Sequence, residues 1–215
     1  MPTDTSTPRP YGVDLYWLPL GAGGHSVRFN GRVYEAIVAV FGRRRRYDLY
    51  HSALEVRVPS GRYVIEMTPV LGSDQRDHGA VASGAVGSAL LGRSNLFRYE
   101  IRRWREGVIP DVAEAVGGPR TLSTEPRVTR RLLDLVPRVP TPVWGRDELR
   151  TGEMWNSNSL ISWLLVRAGL DAARVALPPG GRAPGWDAGI KVATRTQAVE
   201  PFTSAHAATV QGGRR

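Results

Sequence analysis

No cysteine occurs among these 215 residues, so disulfides, thiolate metal sites and thiol catalysis are excluded for this chain. Lysine is almost missing as well: of 29 basic residues only Lys191 is a lysine. With the abundance of Ala, Gly, Val and Pro, that skew reads in part as a GC-rich coding bias rather than a binding signal. No apolar segment approaches the ~20 residues needed to cross a bilayer. Met1–Pro10 is polar and proline-rich, without the apolar core of a signal peptide. The expectation is a cytoplasmic protein with no membrane span.

Acidic residues are the minority, 20 in number, which leaves a net charge of +9. The one dense basic run, Arg43-Arg-Arg-Arg46, could meet phosphate or an acidic partner. No aromatics interleave with it, however, and no zinc-finger, RRM or KH signature is present. A solvated loop is the simpler reading of the run, and nucleic acid is a disfavoured partner. No metal site and no cofactor are expected. What the chain does have is 41% hydrophobic residues, including six Trp, seven Tyr and four Phe, enough for one core.

The pattern divides into a disordered N-terminus (1–10), a single α+β domain (11–195) and a loose C-terminal tail (196–215). Val13–Leu20 reads as a strand, and Asn30–Gly42 as a helix with Val33, Ile37, Val40 and Phe41 on one face. Leu49–Val56 and Arg62–Thr68 alternate as two strands. Their apolar positions put Leu54, Val56, Ile65 and Met67 toward a core, leaving His51, Ala53, Glu66 and Thr68 on the other face. A loop between Arg57 and Arg62 would pair Ala53 with Glu66 and make Glu66 a diagonal neighbour of His51. A tight turn at Ser60-Gly61 would instead separate them by about 13 Å. Pro59 favours the former. Residues 72–95, rich in Gly, Ala and Ser, read as a flexible excursion. Leu96–Arg102 alternates as a strand, and Ser123-Thr-Glu-Pro126 opens a helix. After a Pro/Gly-rich linker at 178–185, Gly189–Ala193 looks strand-like.

The most informative stretch is Met154-Trp-Asn-Ser-Asn-Ser-Leu-Ile-Ser-Trp-Leu-Leu165. Leu160, Ile161, Leu164, Leu165 and Ala168 recur at helical spacing, so an amphipathic, buried helix begins near Asn158. Asn156, Ser157, Asn158 and Ser159 are all capping residue types. Ser157 falls on the side of the apolar stripe, at the positive end of the helix, where free N–H groups can stabilise an oxyanion. A run that only caps, with no chemistry, is the bland alternative. Acyl chemistry also needs a base and a group that orients it. His51 and Glu66 are the candidates, while Trp155, Asn156 and Asn158 are candidate pocket residues.

A strand with His, a partner strand with a polar third residue, and a much later helix-start nucleophile resemble the circularly permuted papain-like superfamily. That group includes lecithin-retinol acyltransferase-like proteins, NlpC-type relatives of the YiiX kind and PPPDE-type peptidases. Tyr50-His-Ser-Ala-Leu-Glu-Val56 resembles its His strand, Val64-Ile-Glu66 its partner strand, and Asn156-Ser-Asn-Ser159 its nucleophile segment. The likeness covers roughly residues 13–70 and 143–170. It implies a small antiparallel sheet packed on a central helix, and a hydrolase or acyltransferase acting on an amide, ester or thioester bond of a small-molecule, lipid or peptide substrate. Within it His51 is the base, Glu66 orients it, and Ser157 stands where the family normally carries Cys. A thiolate is far more nucleophilic than a neutral hydroxyl. Three origins for the serine stay open: a natural serine hydrolase, a catalytically silent binding module using the same cleft, or an engineered exchange of Cys for Ser. A basic nucleic-acid-binding protein is the third functional alternative.

Overall fold

Val13-Asp-Leu-Tyr-Trp-Leu18 is apolar at both strand parities except for Asp14, a pattern that suits a strand covered on both faces. It forms β1 (Gly12–Pro19), and Val13 through Leu18 are all buried. The computed structural model describes residues 9–20, 48–70, 79–88, 98–109 and 112–199. Around β1 are arranged β2 (Asp48–Val58), β3 (Gly61–Pro69), β4 (Ala80–Ala85), β5 (Arg98–Arg105), β6 (Arg120–Ser123) and β7 (Gly181–Arg182). The strand order is β4-β5-β3-β2-β1-β6, antiparallel throughout, with β7 added in parallel to the first residues of β2. Among the described residues three α-helices follow: α1 (Pro126–Leu135), α2 (Ser157–Ala168) and α3 (Trp186–Val199). The chain is α+β, as the sequence pattern implies, but its sheet is larger than the small one expected.

The two faces of the sheet separate by parity. Val13, Leu15 and Trp17 of β1, Leu54 and Val56 of β2, and Ile65 and Met67 of β3 join the main core. Onto that face α2 sets Leu160, Ile161, Leu164 and Leu165, all fully buried and each contributing roughly 1.5–3 kcal/mol. Tyr16, Leu18, Ala53 and Val64 turn to the second face, where Ile109 packs on them. The expected faces of β2 and β3 are therefore those found.

Their register is also the expected one. Leu54 pairs with Ile65 and Val58 with Gly61, so one further step along the ladder sets Ala53 beside Glu66. The connection is tighter than the loop foreseen. The ladder reaches Val58, and only Pro59 and Ser60 form the turn, which keeps the proline out of the hydrogen-bonding ladder.

Two readings of the sequence need correction. The Gly/Ala/Ser-rich stretch 72–95 contains β4, an edge strand paired with β5. The strand-like Gly189–Ala193 belongs to α3, which runs past residue 195 to Val199. Five residues are too short a window to tell the two periods apart. Trp186, Ala188, Gly189, Val192 and Ala193 are the buried positions, and their spacing is helical. The helix expected over Asn30–Gly42, the Arg43–Arg46 run and most of both termini lie outside the described residues. Among the described residues no helix is long and apolar enough to cross a membrane.

Candidate functional site

Asn156 is the N-cap of α2. Its side chain accepts from the backbone N–H groups of Asn158 and Ser159, at 2.9 and 3.3 Å, while Ser159 Oγ accepts from the Asn156 N–H at 3.2 Å. That reciprocal capping box satisfies three of the four N–H groups a helix start leaves open. Gly169, with φ of 96°, closes the other end in the left-handed conformation.

The start of α2 is tied to both sides of its surroundings. Asn158 donates to Tyr50 O at 3.0 Å and to Pro184 O at 2.9 Å, and accepts from Ser52 Oγ at 2.9 Å. The need arises on β2. Leu49 O accepts from Leu20 N, at the end of β1, so Tyr50 O points to the opposite edge of the strand. On that edge β3 pairs only as far as Leu54, and β7 only with Asp48 and Leu49. The Asn158 carboxamide supplies the partner in the gap. Asn156 Nδ2 also donates to Pro184 O, at 2.8 Å, and Ser159 Oγ to Gly185 O, at 2.7 Å. Asn156 and Asn158, expected as pocket residues, are therefore fully used as architecture. Trp155 is 2% exposed, in the main core, and its indole N–H has no hydrogen-bond partner.

Ser157 differs from its neighbours. Among the described residues its hydroxyl has no hydrogen-bond partner, and its backbone N–H is the one donor of the helix start left over from the capping box. The side chain is buried to all but 8%. An attacking oxygen and a helix-end N–H thus coincide at one residue.

His51 comes close to this residue along the backbone. The residues on either side of it, Tyr50 and Ser52, both bond Asn158, which follows Ser157 directly. Its side chain is assigned elsewhere by parity. His51 pairs with Leu18 and lies two residues from Ala53, both on the second face, whereas Ser52 faces α2. Glu66 shares that second face. It pairs across strands with Arg102, whose guanidinium nitrogen is 3.8 Å from the carboxylate and whose main partner is Glu100, at 3.2 Å. Strand parity thus sets His51 and Glu66 on one face of adjacent strands, and Asn158, the neighbour of Ser157, is bonded to the two residues that flank His51.

Burial pushes the Glu66 carboxyl above its ordinary range, and Arg102 pulls it partly back. With the folded pKa raised, the native state holds its proton longer than the unfolded chain, so stability falls as pH rises through that window. Glu66→Gln should flatten the slope of unfolding free energy against pH above the usual carboxyl range. Denaturant titrations at a series of pH values check this, and an unchanged slope would mean that the carboxylate is effectively solvated.

The sequence singled out the helix start but not the division of labour within it. No protein-family model, curated protein or solved structure matches this chain.

Proposed function

We propose that the chain is a hydrolase or acyltransferase of amide, ester or thioester bonds, with Ser157 as nucleophile and His51 as its base. One observation carries the reading. In the polar run Asn156–Ser159, every side chain builds the helix start except that of Ser157, whose hydroxyl and backbone N–H have no partner among the described residues. If the run served only as a cap, that position would have no need of a polar group. In the reaction, Ser157 Oγ attacks the carbonyl carbon and gives its proton to a base, the role that the family resemblance assigns to His51 although strand parity sets its side chain on the face away from α2. The oxyanion that develops is met by the Ser157 N–H, and the imidazolium returns the proton to the leaving group. Glu66, on the face of His51, is the residue to which the same resemblance gives the orienting role. The resemblance to permuted papain-like proteins supports the same assignment, with small-molecule, lipid or peptide substrates.

A second reading is favoured by a specific observation: the parity of β2 directs His51 to the face away from α2. A binding module that keeps the helix start without turnover fits that geometry. Two measurements separate the readings. A fluorophosphonate probe should label the wild type and spare Ser157→Ala, and labelling should fall by about two orders of magnitude in His51→Ala if the imidazole is the base. In Ser157→Cys the helix end and His51 both favour thiolate, so iodoacetamide labelling should persist at mildly acidic pH and weaken on adding His51→Ala. No fluorophosphonate labelling, together with a cysteine that titrates like an exposed thiol with or without His51, would leave the binding module as the function.

A further inference from the structure

A groove of about 660 Å³ runs between α1, with the turn that follows it, and the C-terminal half of α2, and five of its eight lining residues are arginines, beside Asp134, Leu135 and Trp163. Arg127, Arg131 and Arg138 follow one another at helical spacing along one side, all exposed. Asp134 is the one carboxylate in the lining, and among the described residues no arginine forms an ion pair with it. Among the described residues no carboxylate pairs with Arg127, Arg131 or Arg138. Arg130, also in the wall, is engaged differently: it donates to the Tyr11 hydroxyl and lies 5.0 Å from the centre of the Tyr11 ring. Across the groove Trp163 is 3% exposed, its indole N–H buried without a partner, and Arg167 lies 5.9 Å from the centre of its ring.

Such unpaired guanidinium groups on one wall repel each other and gain nothing from the fold, so their arrangement asks for an anion. We infer that this groove binds the phosphate backbone of single-stranded nucleic acid. Guanidinium forks match phosphate oxygens. The span from Arg127 to Arg138 is eleven residues, about 17 Å at the rise of a helix. That exceeds the reach of a single polyphosphate group and corresponds to several consecutive phosphates of a strand, spaced at about 3.4 Å or more. A concave wall admits one backbone, whereas the convex side of a duplex would touch only its rim. Trp163 is too deeply buried to stack a base, so recognition is by backbone and independent of sequence. These arginines are not those of the Arg43–Arg46 run, and the groove stands apart from Ser157, so the inference holds whether or not that serine turns over a substrate.

The test is fluorescence anisotropy of a labelled oligo-dT with the full chain, titrated with salt. Three phosphate contacts on a single strand give a log–log salt slope of about −2. The triple variant R127Q/R131Q/R138Q keeps helix propensity at exposed positions, and circular dichroism confirms that it folds. It should bind about tenfold or more weakly at low salt and lose most of that slope. As a control for charge alone, R43Q/R44Q/R45Q removes the same number of positive charges and should change binding less. Loss in the control equal to or greater than that in the groove variant would overturn the assignment. So would equally strong competition by poly-glutamate, which would mark an acidic protein segment as the partner, or by ATP, which would mark a small polyphosphate.

Discussion

Asn158→Ala should lower the stability of this protein by about 3 kcal/mol, because the residue beside the proposed nucleophile fastens the start of α2 to β2. The carboxamide is 2% exposed and makes three hydrogen bonds, to Tyr50 O, Pro184 O and Ser52 Oγ. Alanine removes all three, leaving the Tyr50 carbonyl and the Ser52 hydroxyl without this partner at roughly 1 kcal/mol or more each, and the lost bond to Pro184 O, which Asn156 Nδ2 still satisfies, adds about 1 kcal/mol. For a chain of this length that corresponds to a fall in Tm of about 6–12 °C, readable by calorimetry. Asn158→Asp sharpens the test. The carboxylate still accepts from Ser52 but faces two carbonyl oxygens, so the variant should be less stable at neutral pH than at a pH where the acid is protonated and can donate once. Ser157→Ala is the contrast, expected within about 0.5 kcal/mol of wild type because its hydroxyl holds nothing together. If Asn158→Ala were as harmless as Ser157→Ala, the helix start would not be fastened to β2 in the way the geometry requires.

How much of this was legible beforehand depended on the length of the pattern. The faces of β2 and β3 followed from alternation, and their register from the position of Pro59, because both are local constraints. The start of α2 was equally visible, yet Asn156, Ser157, Asn158 and Ser159 are all capping types. Which one caps, which one reaches β2 and which one stays free is set by tertiary partners at Tyr50, Ser52, Pro184 and Gly185. The structural roles of Asn156 as cap and Asn158 as tether to β2 were not legible for that reason. Edge strand β4 has few β-branched residues and a weak alternation, and it exists through its pairing with β5. The arginines of the groove were dispersed among helical positions rather than bunched, so a search for dense basic runs passed over them. Nor does a strand period say which face of a sheet a distant helix will cover: His51 and Ser157 were expected to meet, and α2 packs on the face that Ser52 occupies.

The same contrast between local propensity and tertiary constraint sets the sign of Gly189→Ala. Inside an exposed helix that exchange stabilises by up to about 1 kcal/mol, since alanine is the better helix former. At Gly189 the opposite is expected. A Cβ there would fall inside contact distance of Ser159 O and Ser162 Oγ, and 2.9 Å from the Ser159 carbonyl carbon. The absence of a side chain is what lets α3 lie against α2, with Ala188, Val192 and Ala193 filling the rest of the seam. Relief by moving Ser162 is barred in part, because its hydroxyl donates to Trp186 O at 2.7 Å. The Ser159 contact is backbone and cannot rotate away. The helices must separate, which disturbs Ser159 Oγ on Gly185 O and, through it, the capping box that frees Ser157. Overpacking against backbone costs about 3 kcal/mol or more, a Tm drop of the order of 10 °C. Adding Ser162→Ala should recover only a minor part, since it clears one of the two obstacles. Full recovery in the double variant would show that the hydroxyl alone limits the approach. A rise in Tm for Gly189→Ala would mean that α2 and α3 do not meet at this residue.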